Sequence, residues 1–169
     1  MFFDSMAFTN IHVLISLVGI VAGLVVLYGL LTSRAMPAVT ATFLLFTVLT
    51  SATGFLFPRP HLLPSHIVGI ISLVLLAAAI YALYSRHLRG AWRSVYVITA
   101  VMSLYLNVFV LIVQSYMKVP GLHALAPKGS EPPFAITQGL VLLAFVGLGF
   151  LAVRRFHPAT TTTLEYTPR

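Results

Sequence analysis

Five stretches of about twenty residues run without a single charged side chain, and that spacing leaves very few folds open. A bilayer core about 30 Å thick needs roughly 20 helical residues to cross it. Only a helix or a closed barrel satisfies its own backbone polar groups there. The stretches are 12–31, 39–57, 65–84, 95–117 and 134–153, so the expected fold is all-α: an integral membrane bundle of five transmembrane helices. With 59% hydrophobic and 8% charged residues, a soluble globular domain and a disordered chain are both excluded. Cysteine is absent, which removes disulfides, thiolate metal sites and cysteine nucleophiles.

The breaks between the stretches combine charge with turn chemistry. Arg34 and Pro37 end the first, Pro58, Arg59, Pro60 and Pro64 the second, and the run from Arg86 to Gly90 the third. Ser65 is placed to cap the third helix, and Pro132 and Pro133 fit the first turn of the fifth. The segment before His12 has no Lys or Arg and carries Asp4, unlike a secretory leader, so the first helix is expected to remain in the mature protein. No internal repeat or second domain is visible. Residues 1–156 are expected to form one transmembrane domain, and 157–169, with threonines at 160–163, a mobile cytoplasmic tail.

Basic residues set the expected orientation. Arg34, Arg86, Arg89, Arg93, Arg154, Arg155 and Arg169 fall on one side, against Arg59, Lys118 and Lys128 on the other. The positive-inside rule then predicts N-out and C-in. The net charge of +7 reflects this asymmetry and attraction to anionic headgroups, so lipid bilayer and no nucleic acid is the expected partner. The pattern resembles that of small bacterial inner-membrane proteins; in such a membrane the arginine count gives an expected periplasmic N-terminus and cytoplasmic C-terminus.

Polar side chains within such a bundle are either packing devices or parts of a site. In the first helix His12, Ser16, Gly19 and Gly23 share one face; in the second Thr40, Thr47, Ser51 and Gly54 do so. Ser65, Gly69 and Ser72 lie together in the third with His66 beside them, and Tyr96, Ser103, Asn107 and Gln114 form a stripe in the fourth. Gly19, Gly23, Gly54 and Gly69 read as helix-packing positions. Asn107 near mid-membrane must find partners, and Gln114 extends its track outward. In the N-out topology most of these groups gather in the outer leaflet. The predicted ligand pocket is therefore outward-facing and comprises His12, Ser16, Ser51, His66, Asn107, Gln114 and Gln138. The apolar, proline-rich loop from Lys118 to Pro133 is expected to cover it.

The leading functional expectation is a non-catalytic accessory or binding protein whose pocket holds a lipid, quinone or other small amphiphile. An alternative of a different class is a redox or metal protein, with His12 and His66 as ligands to haem, copper or zinc and Glu131 completing or orienting the site. A third is a pore or carrier for a neutral solute, built on the Ser/Thr/Asn/Gln track. It would be completed by homo-oligomerisation through Gly19 and Gly23 or by a larger membrane complex. The spans hold no Asp or Glu, which argues against a proton relay or an acid-based pump. Walker, dinucleotide, nucleophile-elbow and zinc-protease motifs are missing, so the common enzyme mechanisms lack their parts.

Overall fold

The computed structural model describes residues 5–57 and 64–158. Asp4, Arg59, His61 and the tail from Ala159 lie outside the described residues, as does the side chain of Ser65. The elements are α1 (Met6–Leu31), α2 (Pro37–Gly54), α3 (Pro64–Ile80) with a π turn (Tyr81–Ser85), α4 (Trp92–Lys118), α5 (Pro120–Leu125) and α6 (Pro132–Arg155). No strand occurs among the described residues. Five helices are long and apolar enough to cross a membrane: α1, α2, α3 with its π turn, α4 and α6. The chain is an integral membrane helical bundle.

Local chemistry explains where the helices start. Ser5 caps α1 by accepting a 3.2 Å hydrogen bond from the Phe8 amide, which carries the helix six residues beyond the uncharged stretch that begins at His12. Proline opens α2, α5 and α6, where its fixed φ suits a helix and its missing N–H costs nothing. α1 ends in a Schellman motif: Ser33 takes φ 56°, its amide donates to the Leu30 carbonyl, and the Arg34 amide donates to the Gly29 carbonyl at 2.8 Å. A Cβ on Gly29 would stand 2.9 Å from the Arg34 carbonyl oxygen, so the tightness of this turn requires glycine there.

The helices close into a ring in which α1 touches α2, α2 touches α3, α3 touches α4, α4 touches α6 and α6 returns to α1. α4 also reaches α1 and α2, which makes it the central element. The apolar core follows: Val97, Ala100, Val101 and Leu104 of α4 meet Ala22, Val26 and Leu30 of α1, Phe43 and Leu44 of α2, and Leu76 and Ala79 of α3. Close approach of α1 depends on Gly23, whose Cβ would fall 2.5 Å from Leu104 Cδ1 and 2.8 Å from Phe43 Cδ2. Gly19 lies against Phe46 and Thr47 of α2, so the face of α1 bearing both glycines packs within the chain.

Alternation of the spans gives the bundle two unlike ends. One carries His12, the end of α2, the start of α3, and the segment from the end of α4 to the start of α6; it is called here the histidine end. The other carries the α1–α2 and α3–α4 turns and the chain after α6, with Arg34, Arg86, Arg89, Arg93, Arg154 and Arg155; it is the arginine end.

Candidate functional site

At the histidine end the polar groups bond to one another. His12 Nδ1 lies 2.8 Å from Thr53 Oγ1. The Thr53 hydroxyl already donates to the Leu49 carbonyl at 2.7 Å, so it accepts from His12, whose Nδ1 carries the proton. Nε2 then holds the lone pair. The Phe57 ring meets the imidazole edge-on, with centroids 5.2 Å apart, and Phe8 packs on Phe57. His66 instead stacks on Phe55 at 5.6 Å, and Gly69 gives that ring room. The two histidines thus pack against different aromatics of the same α2 terminus. Gly54 lies against His12, where an added Cβ would be 4.0 Å from Cε1.

Deeper in, Ser51 and Ser72 join α2 to α3 through a 3.2 Å hydroxyl pair, and the Asn107 amide donates to Thr47 Oγ1 at 3.3 Å. Ser16 and Ser103 each donate back to their own helix, to the His12 and Thr99 carbonyls. Gln138 lies elsewhere, between α6 and α4, where Nε2 donates to the Phe109 carbonyl and buried Oε1 has no partner among the described residues. Gln114 is exposed, although it shares a helical stripe with buried Asn107. At its level α4 is buried through Tyr116 instead, whose hydroxyl bonds Pro133 and Thr137 at the start of α6. The structure therefore joins Asn107 to Thr47 and Ser51 to Ser72, and leaves Gln114 and Gln138 apart from them.

The groups read as metal ligands are not assembled. Among the described residues no three His, Asp or Glu side chains gather where a cation could be held. Glu131 directs its two carboxylate oxygens at the Lys128 and Ser130 amides, at 2.9 and 3.0 Å. Those bonds, the Lys128 amide first, hold its carboxyl below the usual carboxylate range. The loop expected to cover the outer pocket forms α5, which contacts α4 and buries none of its residues.

Empty space lies at the opposite end. A cavity of about 200 Å³ opens between the α1–α2 turn, the π turn and the chain after α6. Its floor is buried: Val26 and Leu30 of α1, Thr40 of α2, Tyr96 of α4 and Phe156. Its rim is exposed and carries Arg34, Ala35, Pro37 and Tyr84. The walls are apolar apart from the Thr40 hydroxyl beside the Tyr96 phenol.

Backbone departures from ideal helix shape this hollow. In the π turn the Arg86 amide reaches the Tyr81 carbonyl, and the Leu88 amide reaches back to Ala82 at 3.1 Å. His87 and Leu88 follow in the left-handed region, φ 49° and 57°, which costs non-glycine residues roughly 1–2 kcal/mol each. That turn sets Leu88 into the cavity wall beside Leu83 and Tyr84. On the other side Arg93 donates to the Val153 carbonyl at 2.9 Å and to the Phe156 carbonyl, capping α6 and holding Phe156 against Tyr96. The His157 amide donates to Ser33 Oγ at 2.9 Å, tying the chain after α6 to the α1 terminus.

Sequence reasoning did not single out this cavity. One signal was present: Thr40 and Tyr96 each lie one turn inside the arginine-end terminus of their helices, at matching depth and near Arg34. The left-handed Leu88 and the inward fold of Phe156 carry no such signal.

Fold and site together define a five-span helical membrane protein with a half-open apolar cavity at its cationic end. Compared with protein families, with curated proteins and with solved structures, the chain matches none.

Proposed function

We propose that the protein is a non-catalytic membrane binding or accessory protein that holds one small amphiphile, of the lipid or quinone kind, in the arginine-end cavity. The observation that carries this reading is the cavity itself: an apolar hollow with one polar pair at its floor and Arg34 among the residues of its rim. Ligand sites are concave and mostly apolar, with a few polar groups that fix orientation. At about 200 Å³ it is smaller than the roughly 300–1,000 Å³ of sites that enclose a drug-sized molecule. It therefore takes a segment of an amphiphile while the remainder lies in the bilayer. None of the lining residues is a carboxylate or imidazole, the usual groups of acid–base chemistry, which favours binding over catalysis. The arginine excess supports a cytoplasmic arginine end in a bacterial inner membrane, with the N-terminus outside.

The test is native mass spectrometry of the protein extracted with its membrane lipids, beside Ala35→Trp. Ala35 is an exposed rim residue, so the indole obstructs the mouth without entering the core. Close to one bound amphiphile per chain, lost in the variant, is the expected result. Equal retention in both proteins overturns the reading.

A second reading, a metal or haem protein, is favoured by one observation: the Thr53 bond orients His12 and leaves Nε2 its lone pair, as an outer-shell acceptor does for a ligating imidazole. It offers a single oriented ligand. Iron, copper, zinc or haem that co-purifies and is lost in His12→Phe would establish it; metal content unaffected by that substitution would dismiss it.

A further inference from the structure

We infer that the cavity's ligand is an anionic phospholipid of the surrounding leaflet, with part of an acyl chain in the hollow and its phosphate on Arg34. This names the ligand class for the amphiphile site and rests on that reading. Arg34 is held in place by its backbone. Its amide closes the Schellman motif on Gly29, and the neighbouring Ser33 side chain is bonded from the chain after α6. The side chain therefore starts from a fixed point on the cavity rim.

Its charge is unanswered within the described structure. Arg93 caps the α6 carbonyls, Arg86 lies 5.3 Å over the Trp92 ring, and Arg154 lies 5.1 Å over Phe150. The Arg34 guanidinium has neither a hydrogen-bond nor an ion-pair partner among the described residues. The chain has only three acids. Glu131 is at the opposite end with its oxygens on backbone amides, and Asp4 and Glu165 lie outside the described residues.

A guanidinium fork matches phosphate geometry in a two-bond fashion. A neutral quinone has no group that uses this charge, and a zwitterionic headgroup carries its own cation alongside the phosphate. Free phosphate leaves the apolar floor of Val26, Leu30 and Phe156 uncovered. An anionic phospholipid supplies both parts, and basic pockets between transmembrane helices are known seats for such headgroups.

The full-length protein is exchanged into nanodiscs of equal phosphatidylcholine and phosphatidylglycerol, and the lipid retained on release is identified by native mass spectrometry. Wild type is expected to retain phosphatidylglycerol preferentially. Arg34→Gln should lower that preference about tenfold, the factor that corresponds to losing a charge-assisted hydrogen bond to the phosphate, while total bound lipid stays constant. Arg34→Lys, which keeps the charge but not the two-bond fork, should fall between wild type and Arg34→Gln. Arg89→Gln, exposed at the same end and away from the cavity, should leave it unchanged. Equal retention of the two lipids by wild type, an unaltered preference in Arg34→Gln, or an equal loss in Arg89→Gln would each overturn the inference while leaving the amphiphile site standing. Lipid retention that Ala35→Trp does not reduce would remove the site itself. Thermal unfolding of each variant in the same nanodiscs separates loss of fold from loss of preference.

Discussion

The histidine end and the arginine end solve the same problem, closing a helical bundle at a membrane surface, in opposite ways. At the histidine end, side chains from neighbouring helices satisfy one another: His12 with Thr53, Tyr116 with Thr137, Ser51 with Ser72, and Phe55 and Phe57 packed on the imidazoles. At the arginine end the closure is made by backbone. A Schellman turn, a π turn, two left-handed residues and carbonyls capped by Arg93 leave a hollow in their midst. The difference teaches that a concentration of polar residues does not by itself locate a ligand site. Polar groups that meet at close range fill space and answer one another's hydrogen bonds. A ligand needs unfilled volume, and the arginine-end hollow lies where polar residues are sparse within the spans.

The contrast can be broken most forcefully through Arg93. Arg93→Met removes the donor to the Val153 and Phe156 carbonyls and should cost about 2–3 kcal/mol, the upper range for hydrogen bonds to a charged group. Denaturant titration in detergent measures it, and amphiphile retention should fall in parallel because Phe156 is a wall of the cavity. Unfolding identical to wild type would mean that the backbone closure does not depend on this residue.

A smaller effect is expected at the other end. His12→Phe removes the bond to Thr53 but keeps a ring against Phe57, so a loss of about 1 kcal/mol is expected. Amphiphile retention should not change. Loss of the amphiphile in this variant would erase the functional distinction between the ends.

The smallest effect sharpens the comparison by pH. Because the Lys128 and Ser130 amides hold the Glu131 carboxyl below its ordinary range, the order they give the turn is complete above the unfolded carboxylate value. It is lost as pH falls through the lower folded value. Protection of the Lys128 and Ser130 amides against hydrogen exchange, relative to the intrinsic rate at each pH, should fall over that interval. Protection around the cavity should stay constant, since no carboxylate lines it. Loss of protection at both ends together would show that they are coupled.

Much of the fold was legible in the chain, because the cost of placing charge or unpaired backbone in hydrocarbon leaves little choice. Thr47, Ser51, Ser103 and Asn107 could be assigned to interior faces from spacing alone, and all are buried. Gln114 could not be placed the same way. Helical periodicity states which residues share a face, and the neighbour covering that face at a given depth is a tertiary matter. At the level of Gln114 the neighbour is α6, which meets α4 through Tyr116. Gly23 was legible as a packing position, whereas its partners Leu104 and Phe43 were not.

The sequence by itself determined the number of spans, their alternation and the collection of arginines at one end, since each follows from the transfer cost of individual residues into a bilayer. Tertiary structure alone decided that a hollow lies at the arginine end. Volume left between helices depends on how several termini meet at once: Ser33 and Leu88 in left-handed conformations, the widened turn after Ile80, and Phe156 folded back beneath Arg93. No local pattern of residue types records that sum.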